Sequence, residues 1–211
     1  MLATAAMRRA CTRTLCASPR VMRPTSQPTL SFDPSVKTAM DKQEPPAPGA
    51  DFRVVIVGAG NINFGSDEGP WNHSFRLEHK LGPRLKVVAL IDPDAERARR
   101  VLQTKCQSFV LSAYKDTVVY PTFKDYMASV SAETYPHAVW VGSPPAFRGG
   151  TEPGRNLEQL LTAGLPNVPL FIEKPVSTGA VDQTFEVAKM LERNGSLVSV
   201  GYMLRYLKVV Q

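Results

Sequence analysis

Cysteine and histidine are scarce in this chain, with three of each among 211 residues. Cys11 and Cys16 lie near the N-terminus and only Cys106 lies in the part patterned like a fold, so neither an intradomain disulfide nor a cysteine-rich metal site can form there. His73, His79 and His137 show no zinc-ligand spacing. No apolar stretch approaches the roughly 18 to 20 residues that a membrane-spanning helix needs, which argues against an integral membrane protein. Without a secretory signal, Asn72-His73-Ser74 and Asn194-Gly195-Ser196 read as accidental glycosylation matches.

Acidic residues are missing from the first thirty positions. That segment, rich in Arg, Ser, Thr and Ala, has the composition of a mitochondrial transit peptide and lacks the apolar core of a secretory signal. A start at Met40, followed by a short Pro-rich cytosolic leader, explains the same sequence. Matrix and cytoplasm therefore stand as equal alternatives. Residues 1–40 hold Arg8, Arg9, Arg13, Arg20, Arg23 and Lys37 against Asp33, a net +5 of the whole chain's +6. The remainder is close to neutral, so no nucleic-acid-binding surface is indicated.

What is present is an alternation of strand-sized apolar runs and helical periods. "RVVIVGAG", "KVVALIDP", "TVVYP", "HAVWVGSPP", "VPLFIEKP" and "SLVSVGYMLRY" read as six strands. Between them, "HSFRLEHKLGP", "DAERARRVLQTKC", the segment behind Thr122 with Asp125 as its capping-box partner, "RNLEQLLTAGLP" and "AVDQTFEVAKMLERNG" read as helices. In the fourth of these, Leu157, Leu160 and Leu161 are expected to face inward. Strands of continuous Val/Ile/Leu/Phe character, each followed by a helix, predict an α/β, doubly wound parallel sheet over residues 52–211, preceded by a leader over 1–51.

The chemistry is expected at the carboxyl ends of those strands. Gly58 can make the tight turn off the first strand, and Gly60 lets the backbone approach a pyrophosphate seated on the first-turn amides that follow. The third glycine of such a fingerprint is replaced by Asn63. Its Cβ is expected either to hold the helix away from the strand or to accompany a helix start displaced to about Asn72 or Ser74, with Asn61 to Asn72 as an insertion over the cofactor. Asp92, ending the second strand, stands where a carboxylate accepts from adenosine ribose hydroxyls, which favours NAD over NADP; before Pro93 it also reads as a helix cap. Arg97 and Arg100 lie close enough in sequence to soften that preference. "VGSPP" and "FIEKP" bring small, proline and charged residues to the same crevice, where Lys174 could hold a substrate hydroxyl or take part in proton transfer.

"VVIVGAG", "ALIDPDAERA", "VWVGSPP", "FIEKPVS" and "VGYMLRY", in this order, resemble the glucose-fructose oxidoreductase/inositol dehydrogenase/MocA family from Phe52 to Gln211. The resemblance implies a domain binding a nicotinamide dinucleotide, NAD or NADP with NAD favoured, from an oxidoreductase that moves hydride to or from a sugar, polyol or related hydroxy compound. By it, Gly58, Gly60, Asn61 and Ile62 belong to the cofactor cradle, Asp92 meets the adenosine ribose, and Ser143 and Pro144 border the cofactor. Glu173 and Lys174 lie by the nicotinamide, Lys174 touching substrate and preceding a cis Pro175, and Tyr202 and Arg205 lead toward a substrate domain. A histidine that often follows "SPP" in the family is replaced by Arg148 or missing. The family's second α/β domain, which supplies an Asp/His pair, is expected to be absent, and a homo-oligomer is compatible with a full-length form. The same fold also serves a transcriptional repressor of galactose metabolism, so a non-catalytic cofactor-binding regulator is the alternative.

Overall fold

Val54 and Ile56 point to one face of the first strand, β1 (Phe52–Val57), and Val55 and Val57 to the other; all four are buried. A strand apolar on both faces needs cover on both. The computed structural model, which describes residues 45–67, 71–203 and 208, supplies it. Six strands, β1, β2 (Leu85–Ile91), β3 (Val118–Tyr120), β4 (Ala138–Val141), β5 (Leu170–Ile172) and β6 (Val198–Val200), form one parallel sheet in the order β3-β2-β1-β4-β5-β6. The predicted doubly wound architecture is thus observed. The chain order reverses between β1 and β4, which opens a crevice beyond their carboxyl ends.

Among the described residues, seven α-helices cover the sheet: α1 (Asn61–Phe64), α2 (His73–Leu81), α3 (Ala95–Cys106), α4 (Leu111–Tyr114), α5 (Phe123–Met127), α6 (Leu157–Gly164) and α7 (Val181–Arg193). Leu77 of α2, Ala98 and Leu102 of α3, and Ala113 and Tyr114 of α4 pack on the Val54/Ile56 face. Tyr126 and Met127 of α5, Leu161 of α6 and Leu165 pack on the other. Glu78 of α2 joins the first group, its Oε1 lying 2.7 Å from Lys105 Nζ and accepting from the Tyr114 hydroxyl at 2.7 Å.

Helix starts follow capping chemistry. Asn72 Oδ1 accepts from the Phe75 amide, Asp94 Oδ1 from that of Arg97 and Thr122 Oγ1 from that of Asp125. Four expectations are corrected. Asp92 is no cap, because Asp94 caps α3 two residues later. Asp125 answers Thr122 through the threonine hydroxyl, which donates to its Oδ2 at 2.6 Å. Leu160 is 47% exposed, and Glu158 takes the inward place beside Leu161. The sixth strand spans only Val198–Val200. Residues 1–44, nearly all of the expected leader, and Arg205 lie outside the described residues.

Candidate functional site

Gly58 leaves β1 with a φ of +96°, and a Cβ on it would stand 3.0 Å from Ser143 N and 3.1 Å from Gly142 C. Both constraints require glycine. Gly60 has an ordinary φ of −81°, and a Cβ there would meet nothing within 4 Å. Its role is open space. As the N-cap of α1 it makes no side-chain cap hydrogen bond, so the first-turn amides lack that partner.

Asn63 does not hold the helix away. It is fully buried, and its Nδ2 donates to Val57 O at 3.1 Å and Gly58 O at 2.7 Å. The room comes from Gly142 at the end of β4, where an added Cβ would fall 2.4 Å from Asn63 Oδ1 and 2.5 Å from its Cγ. The glycine that permits close packing is therefore on the neighbouring strand. Helical structure also starts at once after Gly60, breaks at Gly65 (φ +90°), and resumes at His73 behind the Asn72 cap. The displaced start was half of the arrangement; one helical turn precedes the interruption.

Asp92 is 3% exposed and already engaged. Its Oδ2 accepts from the Ala59 amide at 2.6 Å, and its Oδ1 accepts from the Asp94 amide at 2.8 Å and from Arg97 Nη2 at 2.7 Å. The carboxylate thus fastens the glycine turn to the start of α3.

Across the crevice, the Glu173 amide donates to Val141 O at 2.9 Å, aligning the ends of β4 and β5. Lys174 is exposed, and the Lys174–Pro175 peptide is cis, as the resemblance implied. The Glu173 carboxylate turns inward: Oε1 lies 2.9 Å from His73 Nε2, and Oε2 accepts from the Lys174 amide at 2.5 Å. Arg148 joins the two motifs. Only 1% exposed, it donates from Nε to Ser143 O at 3.0 Å and from Nη1 to Pro175 O at 2.6 Å and Val176 O at 3.0 Å. Burial lowers its pKa, opposed by Glu158 and Glu173. Burial conversely raises the carboxyl of Glu158, although the Gly149 amide donates to its Oε2 at 2.8 Å.

These parts surround a cleft of about 380 Å³. Gly58, Gly60, Asn61, Ile62, Asp92, Ser143, Pro144, Glu173 and Lys174 all line it, together with Arg97 and Arg148, whereas Arg100 and Tyr202 do not. Ser143 Oγ is buried there without a hydrogen-bond partner. Sequence reasoning missed His73, set aside as a chance glycosylation match, and noted Arg148 only as a departure. Neither carried a local pattern, because both are defined by partners far away in the chain. No group of three His, Cys, Asp or Glu among the described residues is placed to hold a metal ion.

A parallel sheet in this order, with a glycine turn at its switch point, defines a dinucleotide-binding domain of the Rossmann type. The model of the oxidoreductase family with the NAD-binding Rossmann fold matches residues 52–202, and the chain belongs to that family. It is 44% identical over 165 residues to an uncharacterised protein of Schizosaccharomyces pombe, covering 77% of this chain and 43% of that one. It is 29% identical over 153 residues to an inositol 2-dehydrogenase of Gluconacetobacter diazotrophicus, covering 72% and 37%. The chain thus spans less than half the length of these relatives. In fold it is similar to the super-repressor mutant of Gal80p from Saccharomyces cerevisiae, with a TM-score of 0.54 at 18% identity over 75% of this chain and 36% of that one.

Proposed function

We propose that this domain seats NAD or NADP in the 380 Å³ cleft and contributes half of the active site of an oxidoreductase acting on a sugar, polyol or related hydroxy compound. The observation that carries this reading is the convergence of the glycine turn, the Ser143-Pro144 segment and the Glu173-Lys174 pair on one crevice. Three features fit a dinucleotide. The space beside Gly60 is open to a diphosphate, the amides of Asn61 and Ile62 follow an uncapped helix start, and Ser143 Oγ is a buried hydroxyl lacking a partner. The similarity to an inositol 2-dehydrogenase supports a polyol-like substrate.

When bound, the nicotinamide supplies hydride acceptance from, or donation to, a carbinol carbon. The chain's own residues do the rest. Gly58 and Gly60 admit the diphosphate, and Asn61 and Ile62 offer it backbone donors. Asp92 borders the adenosine ribose with free acceptor capacity beyond its three donors, which supports NAD, while Arg97 beside it offsets its charge toward a 2′-phosphate. Lys174 presents its ammonium group at the end of β5, where it can hold a substrate hydroxyl and stabilise a developing alkoxide. Residues beyond the described ones would cover the nicotinamide and exclude water. The homologous regulator reading gains no support from the site, since a sensor has no use for an exposed lysine held at the strand end.

Calorimetric titration tests this directly. Saturable 1:1 binding of NAD or NADP is expected, weakened by Gly60→Val. Absence of heat from both dinucleotides at millimolar concentration would overturn the reading.

A further inference from the structure

Resting on that reading of the cleft, we propose that His73 is a positioning residue for Lys174, acting through the buried carboxylate of Glu173. His73 is the first residue of α2, and its ring is 2% exposed. The Asn72 cap fixes its backbone, since Asn72 Oδ1 accepts from the Phe75 amide while Nδ2 donates to Phe64 O. Half-buried rings confine the imidazole, with Phe171 edge-on at 5.0 Å and Trp140 tilted at 5.5 Å.

The hydrogen-bond roles follow from the neighbours. Arg76 Nη1 lies 3.4 Å from Nδ1 and has only protons to offer, so Nδ1 is the acceptor and Nε2 carries the hydrogen. That N–H donates to Glu173 Oε1 at 2.9 Å. Burial keeps the ring neutral by lowering its pKa, and Glu173 and Arg76 are the charged groups that face it. The other oxygen, Oε2, accepts from the Lys174 amide. The Gly201 backbone packs against this carboxylate, and a Cβ there would stand 2.9 Å from Oε1.

One carboxylate thus bridges the backbone of the exposed lysine and α2, which Asn72 ties to the end of α1 behind the glycine turn. Seating a diphosphate on the turn and aiming Lys174 at the cleft become mechanically linked. Without the His73 donor, Glu173 is released from α2, and the lysine backbone loses its reference to the cofactor side.

The test uses the chain as it stands, NAD as probe, and acylation of Lys174 by an amine-reactive ester, quantified by peptide mass spectrometry with and without NAD. NAD is expected to protect Lys174 about tenfold in the wild type; His73→Phe, which fills the ring space but has no donor, should bind NAD within about threefold yet lose most of that protection. His73→Gln, which can still donate to Glu173, should restore it. A purely structural role would instead lower NAD affinity and protection together. Undiminished protection in folded His73→Phe overturns the proposal while leaving the cofactor reading intact; failure of the wild type to bind NAD overturns both. Should His73→Phe lack native circular dichroism, Glu173→Gln decides, because whichever way its amide turns, either the His73 or the Lys174 contact is lost. Full protection there likewise overturns the proposal.

Discussion

Replacing Gly142 by alanine should damage the domain through a single methyl group, and the damage should vanish when Asn63 is cut back. The added Cβ would lie 2.4 to 2.5 Å from Oδ1, Cγ and Nδ2 of Asn63, a separation that real side chains do not tolerate. Asn63 cannot swing aside cheaply, since its amide holds Val57 O and Gly58 O and is fully buried. Overpacking costs typically about 1–3 kcal/mol, and breaking buried hydrogen bonds adds about 1–3 more. About 3 kcal/mol is expected for Gly142→Ala, a fall in Tm on the order of 10 °C for a domain of this size. Asn63→Ala alone loses the two hydrogen bonds and leaves Gly58 O without that donor, at about 2 kcal/mol. In the double variant the new methyl occupies the volume the amide vacated. Its cost should then stay near that of Asn63→Ala, giving a favourable coupling of about 2–3 kcal/mol. Urea denaturation of the four proteins, with m-values held in common, measures this. Additivity within about 0.5 kcal/mol would refute the claim that Gly142 stands in for the missing third glycine.

The two glycines of the turn should part company under mutation. Gly58→Ala, strained at φ +96° and pressed on Ser143, should cost about 2 kcal/mol or more in denaturant unfolding, whereas Gly60→Val should leave stability within about 0.5 kcal/mol and weaken NAD binding at least about tenfold. Equal stability losses would count against the assignment of open space to Gly60. Asp92→Ala should lower stability by about 2–3 kcal/mol irrespective of cofactor, because it strips the partner from the Ala59 and Asp94 amides and from Arg97; a melting temperature equal to wild type would show that those hydrogen bonds contribute little. His137 accepts from the Arg53 amide, and burial and the Arg53 charge depress its pKa from 6.5 to about 4. The unfolded chain therefore binds the extra proton between those values, so this contribution is intact above pH 6.5 and is lost as pH falls toward 4. For a part-exposed ring it amounts to about 1–2 kcal/mol. His137→Gln, whose amide oxygen can accept the same hydrogen without titrating, should flatten that part of the stability curve, and an unchanged slope would contradict the assignment.

How much of this was legible in the sequence depended on whether a residue's role was set by its neighbours in the chain. Runs such as FRVVIV and LKVVALI declare buried parallel strands because both faces must be covered, and the order of strand and helix then permits few topologies. Motifs at strand ends were equally readable, since the doubly wound sheet delivers every such end to one crevice whatever the loops do. Asn63 failed as a local reading. Its spacing to Gly58 says that a Cβ stands where a glycine is usual, but only the β1·β4 pairing reveals Gly142 opposite it. Leu160 failed for a related reason: the helical period put three leucines on one stripe, whereas the Gly149 amide draws Glu158 inward and turns Leu160 to solvent.

The same distinction explains why Asp92 looked simpler than it is. Read along the chain, a carboxylate at the end of β2 is a ribose acceptor and also a cap, and its charge alone favours NAD. In the fold, that charge is shared among two amides and a guanidinium before any nucleotide arrives. What a 2′-phosphate would meet is therefore the pair, with Asp92 4% exposed at its side chain and Arg97 43% exposed. The accessible partner of the two is the cation. On the proposed cofactor reading, preference turns on whether Arg97 keeps its bond to Asp92 or releases it toward the ligand. Arg97→Ala separates the cases: it should leave NAD affinity near wild type and weaken NADP by about tenfold if the guanidinium is recruited, and should leave the NAD to NADP ratio unchanged if it is not.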